Sequence, residues 1–226
     1  MCNGKYAMIV IQEVIKNLPA DVTLSKFCTI ATDAIASVYE QHKISRFRLM
    51  EHPEERLTAS LCIFSRFRKE IWMIGDCQCL LDGRHYDNPK PYEAPVARRR
   101  SVLIHEMISS GTHTVEQLLA HDHARDVVVT DIIESCHHQN IDFSVIDGFP
   151  VKLEKVVTIP ADTSNDIVLA TDGYPFLFPT LQESEKALML QLSDDPLCYQ
   201  TFLATKGKID GNVSFDDRAY IRFCLK

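Results

Sequence analysis

The order in which helical and strand-like stretches follow one another constrains this chain more than any single motif. Apolar positions at helical spacing fill residues 6–16 (Ala7, Ile9, Val10, Ile11, Val14, Ile15), and Leu18-Pro19 ends the stretch. Residues 25–42 repeat the pattern with Phe27, Ile30, Ala31, Ala34, Ile35, Val38 and Tyr39, so the chain opens with a helical hairpin. Two β-rich runs follow, 57–67 and 71–81, joined by Arg68-Lys69-Glu70 as a hairpin turn. After a Pro-rich loop over 88–95, helices are expected over 96–109, closed by Gly111, over 114–120, with Thr114 and Gln117 at capping-box spacing, and over 126–136. Strands return at 143–146 and 151–159 around Asp147-Gly148, which predicts a second hairpin, and again at 167–171. A helix over 181–192, ended by Asp195-Pro196, and a strand over 219–225 complete the chain. Strand pairs and helices come in blocks and not in βαβ alternation, which predicts an α+β fold of antiparallel sheets covered by helices. With 226 residues and no linker, repeat or low-complexity stretch, a single domain over 1–226 is expected.

Composition removes several classes of function. At 46% hydrophobic and 24% charged residues the chain can bury a core, which excludes disorder. Its 24 basic and 31 acidic residues give a net charge of −7, the wrong sign for a dedicated nucleic-acid binder. No apolar run approaches the roughly 20 residues of a membrane span, and the start lacks the pattern of a secretory signal, so a cytoplasmic protein is expected. The eight cysteines, Cys2, Cys28, Cys62, Cys77, Cys79, Cys136, Cys198 and Cys224, show no paired zinc spacing and read as buried thiols in a reducing compartment.

Five of the eight glycines adjoin an aspartate. Asp82-Gly83 and Asp147-Gly148 lie between strand-like runs and read as tight hairpin turns. Gly75-Asp76 and Asp172-Gly173 instead end apolar runs, where a strand holds a carboxylate rigidly enough to serve a hard cation. The third acidic feature is Asp216-Asp217 ahead of the last strand, two carboxylates that repel unless a cation such as Arg218 neutralises them; a solvated acidic turn is the plain alternative. His121, His123, His137 and His138 invite a zinc reading, but a His-x-His and a His-His pair on or beside a helix point in divergent directions, so no common metal site is expected from them. Arg98-Arg99-Arg100 reads as a solvated helix face, and Trp72, Phe176 and Phe178 as core. There is no Gly-rich phosphate loop, nucleophile elbow or Cys-His dyad.

Taken in order, three of these segments resemble the PPM family of metal-dependent protein phosphatases, the phosphatase 2C class. Residues 57–81 look like that family's hairpin ending in Gly-Asp-Ser-Arg, here Gly75-Asp76-Cys77-Gln78. Ile167-Val168-Leu169-Ala170-Thr171-Asp172-Gly173 is similar to its strand ending in Asp-Gly, and Asp216-Asp217-Arg218-Ala219 falls at the place of its closing Asp-Asn-x-Thr. The resemblance implies a four-layer α-β-β-α sandwich of two antiparallel sheets with helices outside, carrying a binuclear Mg²⁺ or Mn²⁺ site at one end. Asp172 and Asp216 would be direct metal ligands that converge in space, and Asp76 would serve a third, weaker metal. The implied activity is hydrolysis of phosphoserine and phosphothreonine in phosphoprotein substrates by a metal-bound hydroxide.

The departures lie in Cys77 and Gln78 for Ser-Arg, in Ala219 for Thr, and at the start. The family's first strand pair carries an Asp-Gly whose aspartate bridges both metals and an arginine that grips phosphate. Here only Met1-Cys2-Asn3-Gly4 precedes the first helix, so the expectation is an N-terminally shortened domain or a start downstream of the true one. The alternative function is a catalytically impaired pseudophosphatase acting as a binding or regulatory module.

Overall fold

The computed structural model describes residues 3–225; Met1 and Cys2, which belong to the readings of the start and of the cysteines, lie outside the described residues. In chain order the elements are α1 (Asn3–Lys16), α2 (Leu24–Gln41), α3 (Arg46–Glu51), β1 (Leu61–Ser65), β2 (Glu70–Ile74), β3 (Gln78–Leu81), β4 (Arg84–Asp87), α4 (Glu93–Ser109), α5 (Val115–Ala120), α6 (His123–Cys136), β5 (Val157–Pro160), β6 (Asp166–Ala170), α7 (Leu181–Asp194) and β7 (Tyr220–Cys224). The fold is α+β with two antiparallel sheets, one of three strands and one of four. No described helix is long and apolar enough to cross a membrane. Contacts divide the chain into two compact units, Met1–Cys77 with Ser135–Ser164, and Gln78–Glu134 with Asn165–Lys226.

The first unit carries the sheet β1-β2-β5, with β2 paired antiparallel on both sides. The apolar stripes of α1 and α2 supply Ala7, Ile11, Phe27, Ala31 and Ile35 to a core that also holds Trp72, Ile74 and Ile146. Phe27 stacks on Trp72 with ring centroids 6.0 Å apart, so the opening helical hairpin is fastened to β2 by aromatic burial. Thr23 caps α2 by accepting from the Lys26 N–H, which sets where that helix begins.

Two expectations for this unit are corrected. Residues 71–81 are not one strand, because Gly75 takes φ +80° and turns the chain out of the sheet after β2. A Cβ at Gly75 would lie 2.2 Å from Ser60 Oγ, so both space and backbone favour glycine there. Nor is Asp147-Gly148 a hairpin turn: residue 146 makes only an isolated bridge to Ala59, and the strand that follows, β5, pairs with β2. The Asp147 carboxylate is fully buried and accepts from the Phe149 N–H (3.0 Å), Asn140 Nδ2 (3.0 Å) and Arg56 Nη1 (3.0 Å). Burial pushes its pKa up, and the Phe149 N–H and Arg56 oppose that rise. Gly148, at φ +83°, lets the Tyr39 ring close in, and Tyr39 donates to the Asp147 carbonyl while accepting from the Leu57 N–H.

The second unit carries the sheet β4-β3-β6-β7, in which β3 and β6 are central and buried. Asp82 (φ 47°) and Gly83 (φ 82°) make the two-residue β3–β4 turn that the sequence predicts, both residues left-handed as a type I′ turn requires. The Asp82 carboxylate also accepts from the N–H groups of Asn165 and Asp166, which fixes the entry of β6. Leu188 and Leu192 of α7 pack with Ala170, Tyr174, Cys198 and Phe215, while Ile104, Leu118 and Ala124 form a second cluster with Leu197 and Tyr199. The Thr114–Gln117 capping box opens α5 as expected.

Three further expectations fail here. Arg100 is not on a solvated face: it is fully buried, with Nη2 2.6 Å from Asp122 Oδ2, and Nη1 donates to the carbonyls of Leu197 and Ala204. Phe176 and Phe178 are about two-fifths exposed, because residues 174–180 are an irregular loop tied to the start of α7 through the Ser184 hydroxyl. Cys224 is exposed on β7, whereas Cys28 and Cys198 are buried thiols raised by desolvation to about 11 and about 12.

The buried Asp147 supplies a test of the first unit. Asp147→Ala leaves Arg56, Asn140 and the Phe149 N–H without their acceptor and should lower stability by about 3–5 kcal/mol, with Asp147→Asn costing less, as read from urea unfolding midpoints. A loss below about 1 kcal/mol for the alanine variant would contradict the role given to this carboxylate.

Candidate functional site

The site is built on the end of β6. Paired to β3 on one side and β7 on the other, β6 delivers Thr171-Asp172-Gly173 as a tightly held turn. Thr171 N–H donates to the Ala219 carbonyl (3.2 Å) and Thr171 Oγ1 accepts from the Ala219 N–H (3.0 Å), so the turn is bound to the segment ahead of β7. Gly173 makes that approach possible, since a Cβ there would lie 2.3 Å from the Asp217 carbonyl oxygen. Gln78, at the start of β3, donates from Nε2 to the carbonyls of Thr171 and Tyr174, both at 2.8 Å, and its Oε1 lies 3.0 Å from His85 Nε2. The residue that departs from the phosphatase motif thus clamps both sides of the Asp172-Gly173 turn.

Asp172 and Asp216 both line a recess of about 220 Å³ with Glu93, Ala97, Phe202, Ala204 and Lys206. Asp76 belongs to the first unit, where it follows β2 at the Gly75 turn, and is partly buried. Glu93, which sequence reasoning passed over, opens α4 after the Pro-rich loop, and its carboxylate lies 3.8 Å from Lys90 Nζ.

The cation at Asp216 is Lys206 and not Arg218. Lys206 Nζ lies 2.6 Å from Asp216 Oδ1, which also accepts from the Asp217 N–H at 2.8 Å. Arg218 instead makes a two-pronged pair with Glu185, Nε to Oε1 at 2.8 Å and Nη2 to Oε2 at 2.9 Å. Tyr174 donates to the same Glu185 Oε1 at 2.7 Å; burial first, then this acceptor, raises the phenol to about 12. The Arg218 hydrogen bond holds the Glu185 carboxyl below its ordinary value.

Lys206 reaches its place because residues 196–205 are anchored from three directions. The buried Asp195 carboxylate accepts from the N–H groups of Tyr199, Gln200 and Thr201, Arg100 grips the carbonyls of Leu197 and Ala204, and Arg125 Nη1 donates to the Thr205 carbonyl. The Lys206–Asp216 pair also forms part of a second recess of about 670 Å³, lined by Tyr174, Glu185, Ile209, Ser214 and Arg218.

The donor set has a clear chemical character. Three carboxylates, Asp172, Asp216 and Glu93, line one recess and are the ligand type of a hard divalent cation such as Mg²⁺ or Mn²⁺; Asp216 accepts from Lys206 and from the Asp217 N–H through Oδ1. Lys206 counts against such an ion, because its ammonium already neutralises one of the three acids. These residues have the ligand chemistry of a hard divalent cation, with Lys206 in competition for Asp216.

The Glu185–Arg218 pair carries a pH dependence of definite sign. A carboxyl whose pKa is lower folded than unfolded adds stability above the unfolded value of about 4.3 and loses it as the pH falls through the folded value. Glu185→Gln should therefore flatten the stability profile below about pH 4.3 relative to the parent chain, read by thermal melts from pH 3 to 7; an unchanged slope would contradict the assignment. Comparison with protein-family models, with curated proteins and with solved structures returns no match to this chain.

Proposed function

We propose that the chain is a metal-dependent serine/threonine protein phosphatase-like domain that acts on phosphoserine and phosphothreonine in protein substrates. The observation that supports it is the pairing of Asp172, rigid at the end of β6, with Asp216, just ahead of β7, on one acid-lined recess. In this reading the two antiparallel sheets stack face to face as a four-layer α-β-β-α sandwich, Asp76 serves a weaker additional cation, and the protein works in the cytoplasm. Asp172 and Asp216 would hold Mg²⁺ or Mn²⁺, which would supply Lewis acidity toward phosphate oxygens and a more acidic water for in-line attack at phosphorus.

The chain's own residues have separate tasks. Asp172 and Asp216 bind, and Gln78 and the Gly173 approach keep the two carboxylates at a fixed separation. Lys206, which lines the same recess, would supply a point charge suited to a phosphate oxygen.

One observation favours the second reading, a catalytically impaired module that binds partners without turnover. The 2.6 Å Lys206–Asp216 pair performs by itself the neutralisation that a metal would perform. A phosphopeptide assay with titrated Mn²⁺ separates the two on this chain, Asp172→Asn and Lys206→Met. The phosphatase reading expects Mn²⁺-dependent turnover that Asp172→Asn reduces to background, and tighter Mn²⁺ binding but slower turnover in Lys206→Met. Absence of turnover at saturating Mn²⁺ in both the parent and Lys206→Met selects the impaired module. Turnover that survives Asp172→Asn overturns the metal role of the recess.

A further inference from the structure

We propose that His121, His123 and Asp126 form a binding site for a zinc-class divalent transition metal, with His113 as its fourth donor. The expectation that His121 and His123 diverge is corrected by the helix break between them. His121 caps the end of α5 in extended backbone and His123 begins α6, so the rings are presented from two different helix ends. Each offers a nitrogen that, with the Asp126 carboxylate, falls in a set whose donor atoms all lie within 4.8 Å of one another.

The geometry is specific to this group. Asp126, in the first turn of α6, directs Oδ2 at His121 Nε2 (2.7 Å) and toward His123 Nδ1 (3.7 Å). The His121 and His123 ring centroids are 4.5 Å apart, and the His113 ring lies against His123 from the α4–α5 loop at 4.6 Å. That loop is itself ordered, since His113 N–H donates to the Met107 carbonyl at 3.1 Å. The neighbouring cations are committed elsewhere, Arg100 to Asp122 and Arg125 to the Thr205 carbonyl. His138 pairs with a different carboxylate, Asp142, at 2.6 Å.

Three imidazoles and one carboxylate are the ligand types of a four-coordinate zinc site, and they are poor ligands for Mg²⁺. The ion expected here is therefore chemically distinct from the one expected at Asp172 and Asp216. A metal at this point would join the α4–α5 loop, the α5–α6 junction and the first turn of α6, adding cross-links around the six-residue helix α5.

The test is calorimetric titration of Zn²⁺ into the chelator-stripped full chain, with His121→Ala/His123→Ala, His113→Ala, His138→Ala and Asp172→Asn beside the parent. One Zn²⁺ per chain should bind to the parent, to His138→Ala and to Asp172→Asn. Binding should weaken by at least about tenfold in His113→Ala and be lost in the double variant. The double variant's metal-free melting temperature should match the parent's, because the side chains of His121 and His123 are 61% and 44% exposed, and Zn²⁺ should raise the melting temperature of the parent alone of these two. No stoichiometric uptake by the parent, uptake retained by the double variant, or uptake lost in Asp172→Asn would each overturn the site. Unchanged affinity in His113→Ala would overturn its assignment as fourth donor.

Discussion

The placement of the acid-lined recess depends on the contact between the end of β6 and the segment ahead of β7. Gly173 lies so near the Asp217 carbonyl that no side chain fits between them, and Thr171 is tied to Ala219 by two hydrogen bonds. Because β6 is a central strand paired on both edges of the four-stranded sheet, this contact is fixed by the sheet and not by a free loop. Gln78 adds a clamp from the adjacent strand, so the turn carrying Asp172 has its flanking carbonyls satisfied by side chains of the same unit.

Charge balance in the recess follows from packing further away. Lys206 can meet Asp216 because Arg100, Asp195 and Arg125 consume the polar backbone of residues 197–205 and hold its course. Arg218, the cation adjacent in sequence, is withdrawn by Glu185, which presents two oxygens in the geometry a guanidinium prefers and receives Tyr174 as well. A lysine at Asp216 is a counter-ion more readily replaced than a forked arginine pair there would be.

Much of the fold is legible from periodicity, since α1, α2, α4, α7 and the Asp82-Gly83 hairpin follow directly from apolar spacing and turn chemistry. The break at Gly75 escapes apolar spacing because both β2 and β3 are buried strands and only the three residues Gly75-Asp76-Cys77, led by a left-handed glycine, separate them. Asp147-Gly148 carries the pattern of a hairpin turn, but its aspartate is consumed by Arg56 and Asn140, partners remote in sequence or hidden in a loop. Arg100 looks like its two neighbours in a basic run, and nothing local marks it as the one that is buried. Within the site, Asp172 could be found as a strand-end aspartate and Asp216 as one of an acidic pair ahead of the last strand, while Glu93 and Lys206 sit at a helix start or in a loop with no pattern to distinguish them.

The central claim is that Asp172 and Asp216 together accept a hard divalent cation at the end of β6. Paramagnetic broadening of backbone amide signals by substoichiometric Mn²⁺ in isotope-labelled protein tests it most directly. The account predicts that signals of residues 171–173, 216–218 and 93 broaden first, and that Asp172→Asn removes the effect. No broadening at residues 171–173 and 216–218, or broadening spread evenly over the acidic surface, would contradict it.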